Sequence, residues 1–181
     1  MNVLVITPPD PLISIDEARV HLKDPDPAED ELIETYIAAA SAWIDGPAGW
    51  LGRSLGQQTL ELQTDDFDFC ERLPYGPVQS VESVKYIDGA GVEQTVAPSS
   101  FRMNGDHLTL AHGGSWPSNR DSGGVRVRYV TGGDIPQQAR QAVLLLVGQW
   151  FRNRMAVVVG TISSELPFGV DALLAPLRRL N

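Results

Sequence analysis

VRVRYVTGGDIPQQARQAVLLLVGQWF, residues 125–151, carries two periodicities back to back. Val125, Val127 and Tyr129 alternate with Arg126 and Arg128, the period-two pattern of a strand with one buried face. Thr131-Gly132-Gly133 interrupts it. Ala139, Ala142, Val143, Leu146, Val147, Trp150 and Phe151 then recur at three- and four-residue spacing, the apolar stripe of a helix. Asp134 is its expected N-cap, with Pro136 in the first turn. Leu144 and Leu145 widen the stripe, so burial on more than one side is expected. Arg152 and Arg154 sit at the end where the helix dipole favours cations. A strand that runs through a glycine joint into a long helix places a β region and a helical region in one chain.

Upstream of this junction the signals are those of strands and tight turns. Leu60 and Leu62 alternate with Glu61 and Gln63. Leu73-Pro74-Tyr75-Gly76-Pro77 reads as a turn, and Val81–Ile87 as a second strong strand. Asp88-Gly89-Ala90-Gly91 and Asn104-Gly105 are hairpin signals, the latter joining Phe101–Met103 to His107–Leu110. Residues 112–124 form a long polar loop. Five or six short strands joined by hairpins predict an antiparallel sheet or small sandwich.

Further upstream the period returns to that of helices. Ser14-Ile15-Asp16-Glu17 is a capping box that opens a short helix to about Lys23. Asp26 caps a second helix with Pro27 at its first position, and Glu29, Asp30 and Glu31 favour its positive end. Leu32, Ile33, Tyr36, Ile37, Ala40, Trp43 and Ile44 form its stripe, and Gly46-Pro47 ends it. Trp43 and Trp150 fall on the stripes and are read as core, while Trp50 and Leu51 pack back on the body. Residues 1–13 are extended, because Pro8, Pro9 and Pro11 block a helix. The predicted class is therefore α+β. A helical body of two major helices plus short helices carries an inserted antiparallel β module and a C-terminal arm. The predicted segments are 1–56 (helical), 57–131 (β insertion) and 132–181 (helix and arm, one structural unit with 1–56).

The net charge of −9 is unevenly spread. Residues 1–46 hold ten acids against Arg19 and Lys23; residues 135–181 hold two acids against five arginines. An acidic start and a basic end suit contacts between copies through complementary potentials, and equally suit solvated helix faces. Tight phosphate-backbone binding is disfavoured, because it needs clustered Lys and Arg. Cys70 is the single cysteine, which excludes an internal disulfide and a cysteine-based metal site. The start MNVLVITPPDPL lacks the basic residues of a secretion signal, and no stretch is apolar enough to span a membrane. A soluble, reducing compartment is expected.

Catalysis needs a nucleophile, a base and an orienting group that converge. His21, His107 and His112 have no other His, Cys or carboxylate at ligand spacing, and are read as surface or packing residues. Asp65, Asp66, Asp68 and Glu71 cluster, but not at calcium-loop spacing; Phe67, Phe69 and Cys70 between them fit a strand with one acidic face. Gly113-Gly114-Ser115-Trp116 lacks the flanking glycines of a nucleophile elbow. No phosphate loop or dinucleotide fingerprint is present. No catalytic residue, metal or cofactor is predicted. Trp116, with Asn119 and Arg120, is a candidate partner-facing loop, or a lid over the β module.

Residues 155–169 are apolar, β-branched and punctuated by Gly and Pro. Docking on a partner by strand addition is favoured over internal packing. The candidate docking residues are Val157, Val158, Val159, Gly160, Thr161, Ile162, Leu166, Pro167, Phe168, Leu173, Leu174, Arg178 and Arg179.

Ordered blocks along the chain resemble the head–tail connector (adaptor) proteins of tailed phages and of gene transfer agents. They are Ile15-Asp16-Glu17-Ala18-Arg19, Asp30-Glu31-Leu32-Ile33, Leu73–Val81 before Val84–Asp88, Gly113–Pro117, Val125–Val127, Ile135-Pro136 to Ala142, Arg152-Asn153-Arg154, Val159-Gly160-Thr161 and Leu166–Val170. Together they span about residues 12–178; the leading MNVLVITPPDP departs from the pattern. The resemblance implies a non-enzymatic particle protein, assembled in the host cytoplasm as a ring of about twelve copies in the neck. It further implies an arm on the portal protein, a stopper or tail completion protein on the opposite face, and DNA passing through the lumen without sequence-specific binding. A monomeric β module that grips a ligand or glycan near Trp116 is the alternative.

Overall fold

The capping box at the head of the first helix is formed: Glu17 N donates to Ser14 Oγ (3.3 Å) and Ser14 N donates to Glu17 Oε2 (3.0 Å). It opens α1 (Ile15–Leu22), which ends where Lys23 and Asp24 take left-handed backbone, φ 65 and 56°. The computed structural model describes residues 1–67, 72–118, 124–153 and 168–178. Asp26 caps a single 3-10 turn, Pro27–Glu29, by accepting from Ala28 N at 2.9 Å, and α2 (Asp30–Ile44) follows directly. Arg19 fixes this corner. Its guanidinium donates to Asp30 at 2.6 Å, Asp24 at 3.2 Å and the Pro25 carbonyl at 3.3 Å.

The chain divides into two compact units, residues 10–55 with 134–180 and residues 1–9 with 56–133. In the first unit, α1 and α2 pack with α3 (Gln137–Arg152) and α4 (Phe168–Leu174). Ile33, Ile37, Ala40, Ile44, Ala142, Val143, Leu146 and Val147 form its core, with Leu12, Leu51 and Leu55 closing it. Leu12 N donates to the buried Ser41 Oγ at 3.1 Å, which satisfies an amide that proline-rich backbone would leave unpaired. The start of α3 differs from expectation. Pro136 occupies the N-cap position, no side chain caps the helix, and Asp134 lies outside it.

In the second unit, β2 (Gln58–Thr64), β3 (Val78–Ile87), β4 (Glu93–Thr95) and β7 (Val125–Thr131) join a strand that the sequence reading did not resolve, β1 (Asn2–Thr7). The order is β1-β2-β7-β3-β4, antiparallel throughout. β5 (Phe101–Asn104) and β6 (His107–Leu110) form a separate hairpin. Alternation in β7 is complete: Val125, Val127, Tyr129 and Thr131 are buried and the residues between them are half-buried. Leu60, Leu62, Val84, Val127 and Tyr129 pack with Phe67, Leu73, Val96 and Leu108 in a second core. The α+β class stands. The N-terminal nine residues, however, belong to the sheet and not to the helical segment, because β1 pairs with β2 from Asn2↔Gln63 to Thr7↔Thr59.

Candidate assembly surfaces

Of the predicted docking residues, the structure describes the side chains of Leu173, Leu174 and Arg178, which lie in or just after α4. Val170 and Leu174 of α4 are fully buried in the helical core, and Leu173 and Leu177 pack half-buried against it. Leu174 is therefore a core residue, correcting its assignment to an exposed arm: α4 is short but seats one hydrophobic face on α3. Arg178 is exposed, and its guanidinium lies 4.6 Å from the centroid of the Trp50 ring. Trp50 stacks on Trp43 at 6.4 Å and 17°. Trp43 is 38% exposed: the buried face of α2 runs through Ile33, Ile37, Ala40, Ser41 and Ile44, and Trp43 lies beside it and not on it. Val157, Val158, Val159, Gly160, Thr161, Ile162, Leu166, Pro167 and Arg179 lie outside the described residues, as does the side chain of Phe168.

Trp116 is a lid. Its ring lies on Phe67, centroids 4.9 Å apart and planes within 4°, and Phe67 meets Tyr86 edge-on at 5.8 Å. One face of the indole is thereby occupied by the chain's own core. Asn119 and Arg120 lie outside the described residues. Asp65 and Asp66 follow the end of β2 in a bend and not in a strand; Asp68, Phe69, Cys70 and Glu71 lie outside the described residues.

The Leu73–Val78 turn is the most heavily tied loop of the sheet unit. Asp106 grips both ends: its carbonyl accepts from Leu73 N at 2.9 Å and its carboxylate from Val78 N at 2.8 Å. Tyr129 Oη donates to the Pro74 carbonyl at 2.9 Å, and Thr131 Oγ1 lies 3.0 and 2.8 Å from the Tyr75 and Pro77 carbonyls. The Pro74 and Tyr75 carbonyls, in a turn where Tyr75 is left-handed (φ 58°), thus find side-chain donors on β7, while the Pro77 carbonyl also accepts from Gly132 N at 3.0 Å. Burial holds the Tyr129 phenol above its ordinary pKa and keeps it a donor. Sequence reasoning identified the turn but not its anchors; the alternation of β7 placed Tyr129 inside without saying what its hydroxyl meets.

The polar face of the sheet is an ion-pair ladder. Arg128 donates to Glu61 at 2.8 Å, Lys85 to Glu93 at 2.8 Å, and Arg126 also pairs with Glu93. Burial works to raise the pKa of Glu61, but hydrogen bonds from Arg128 and Gln63 and the nearby Arg126 outweigh it and hold the carboxyl below its usual range. Glu93 is lowered by Lys85 first and then by the charge of Arg126. On this face of the sheet each of these cations has a carboxylate partner, so Lys85, Arg126 and Arg128 are not a free cluster for phosphates.

The three histidines lie at separate places in the chain. His21 belongs to the helical unit, beside Gly148; His107 starts β6; His112 is exposed in the loop after it. Among the described residues no group of three His, Cys, Asp or Glu is placed to hold a metal ion. No described helix is long and apolar enough to cross a membrane. What the surface does offer is apolar. Val20 on α1 is 80% exposed, and Leu4, Val5 and Ile6 stand out from the edge strand β1. Glycine-poor, charge-free edges of this kind are adhesive unless covered.

A two-unit α+β chain with a tied turn, an ion-paired sheet face and exposed apolar relief has the build of a structural component that works by contact. The chain belongs to the head completion protein family, whose description matches residues 11–165, and its role is the structural one of connecting head and tail in a virion-type particle. Solved structures agree over the full length. A chain from the neck of an empty gene transfer agent particle, computed with C6 symmetry, is similar at TM-score 0.77 and 26% identity, covering 100% of this chain and 97% of that one. A chain from the virion of a native gene transfer agent particle gives 0.76 and 27%, with the same coverage. A third, from the neck of a native particle computed with C12 symmetry, shares the fold at TM-score 0.69 and 24% identity. No curated protein sequence matches the chain significantly.

Proposed function

We propose that the protein forms a closed ring of about twelve copies in the neck of a phage or gene transfer agent particle, between the portal and the tail. The observation that carries this reading is the end-to-end likeness to a neck chain computed with sixfold symmetry, at 26% identity and TM-score 0.77. A ring of about twelve satisfies that symmetry, and a heterologous contact of fixed rotation closes it. The portal side is assigned to residues 157–167 with Arg178 and Arg179; the opposite face receives a stopper or tail completion protein. DNA passes through the lumen. A net charge of −9 and an ion-paired sheet face let phosphates pass without holding them.

The test is reconstitution. The purified protein is mixed with the portal of its own particle and imaged by cryo-electron microscopy. The expected result is one added ring of about twelve copies on the portal's narrow end. A portal that stays bare at saturating protein overturns the proposal. Free protein is expected to be monomeric, because lateral contacts are weak until the portal aligns them.

A further inference from the structure

We infer that two concavities of the helical unit, one between α1 and α2 and one on α3 beside His21, are the two halves of the contact between neighbouring copies, an assignment that rests on the ring reading above. On the α2 side of α1 lies a groove of about 510 Å³ lined by Asp10, Pro11, Ile13, Ile15, Glu34 and Ala38. Its floor is apolar, made by Ile13 and Ile37 of the core, and carboxylates stand at its rim. On the α3 side lies a second concavity lined by His21, Leu145, Gly148, Gln149 and Arg152, closed below by Gly169 and Val170 of α4. Leu145, Gln149 and Arg152 follow at helical spacing on one face of α3. Leu145 is 36% exposed although its neighbours Leu146 and Val147 are core.

The chemistry of the two flanks is complementary. Arg19 and Arg140 of this unit are already paired, with Asp24 and Asp30 and with Glu17. Among the described residues no ion pair involves Glu34 or Arg152, and both are exposed. The acidic flank belongs to the segment that holds ten acids against two bases, the other to the segment with five arginines against two acids. A second copy presenting Leu145 to the isoleucine floor, with Arg152 against Glu34 and Asp10, pairs apolar with apolar and charge with opposite charge. Because acceptor and donor are different surfaces of one subunit, the contact is heterologous. It runs in one direction around a ring and leaves no unpaired end when the ring closes.

The test uses two charge reversals in the full chain, Glu34→Arg and Arg152→Glu, each added to the portal. Each alone sets like charges against each other at every contact and is expected to lower ring occupancy at least about tenfold. An equimolar mixture is expected to restore rings with the two variants strictly alternating, countable by a mass tag on one of them. Leu145→Ser, a small change at an exposed site, is expected to weaken assembly without lowering the melting temperature. If single variants build rings as the unaltered chain does, or if the mixture fails to rescue them, the assignment of these grooves is overturned while the ring stands. If the unaltered chain builds no ring, both fall.

Discussion

Gly76 and Asp106 share a space that admits no extra atom. A Cβ on Gly76 would fall within 3.0 Å of Asp106 Cγ and of both its carboxylate oxygens. The carboxylate has no room to retreat, because it accepts from Val78 N at 2.8 Å and its backbone carbonyl holds Leu73 N at 2.9 Å. The Leu73–Val78 turn is thus built around a glycine for steric reasons.

Gly76→Ala is expected to destabilise the protein by about 1–3 kcal/mol, read as a lower urea midpoint at unchanged slope. Asp106→Ala loses the amide acceptor and costs about as much. The double variant should cost clearly less than the sum, since removing the carboxylate vacates the space the new methyl needs. Additive losses would show that the two residues do not compete.

Leu174→Ala should cost about 2–4 kcal/mol, because the leucine is fully buried against α3. Removal of residues 157–181 as a block is accordingly expected to lower the melting temperature as well as portal attachment, which makes it a poor probe of attachment alone. Arg178→Ala is the cleaner variant: it lifts one cation from Trp50 and should leave the melting temperature within a few degrees.

Acid should unfold the protein through its paired carboxylates. Glu17 sits below its usual 4.5 because Ser14 N donates to it, helped by Arg140; Asp88 sits below 3.8 through the Val92 amide and Gln94. Glu93 and Glu61 are lowered as described. A folded-state pKa below the unfolded value means stability is fully present above the unfolded carboxylate range and is lost as pH falls through the folded values. Melting temperature should therefore hold steady down to about pH 5 and drop below it. Glu17→Gln should flatten part of that drop; an unchanged profile would count against the capping-box carboxylate as a contributor.

Trp116→Ala should lower stability by about 3 kcal/mol or more by uncovering Phe67, and leave ring formation on the portal intact below the melting temperature. Loss of assembly without loss of stability would mean that the indole faces a partner.

The sequence made the helices legible because their ends are chemically marked: Ser14 and Glu17, Asp26 and Pro27, and Lys23 near the end of α1. It made β7 legible because Val125, Val127 and Tyr129 alternate with Arg126 and Arg128. Two kinds of feature escaped. β1 was hidden by the prolines that follow it and by its distant partner, since nothing local shows that residues 2–7 pair with residues 58–64. The cap of α3 was misplaced because Asp134 and Pro136 offer two plausible starts, and φ restriction at proline rather than a side-chain hydrogen bond decides between them. As for surfaces, three- and four-residue spacing does not fix the lateral edge of a buried helix face, so Trp43, beside the buried Ile44 but off that face, read as core; and composition cannot show that α4 has a buried side.

β1 and β2 are neighbours in the sheet, yet between Thr7 and Gln58 the chain builds α1 and α2, whose own partner α3 begins only at Gln137. Each unit is threaded through the other along the sequence. On a ribosome, the first strand must wait for the second, and the first two helices must wait for the whole sheet to emerge. Neither unit is one continuous stretch of sequence: the sheet unit has all its strands once Thr131 is made, whereas the helical unit must still wait for α3 and α4.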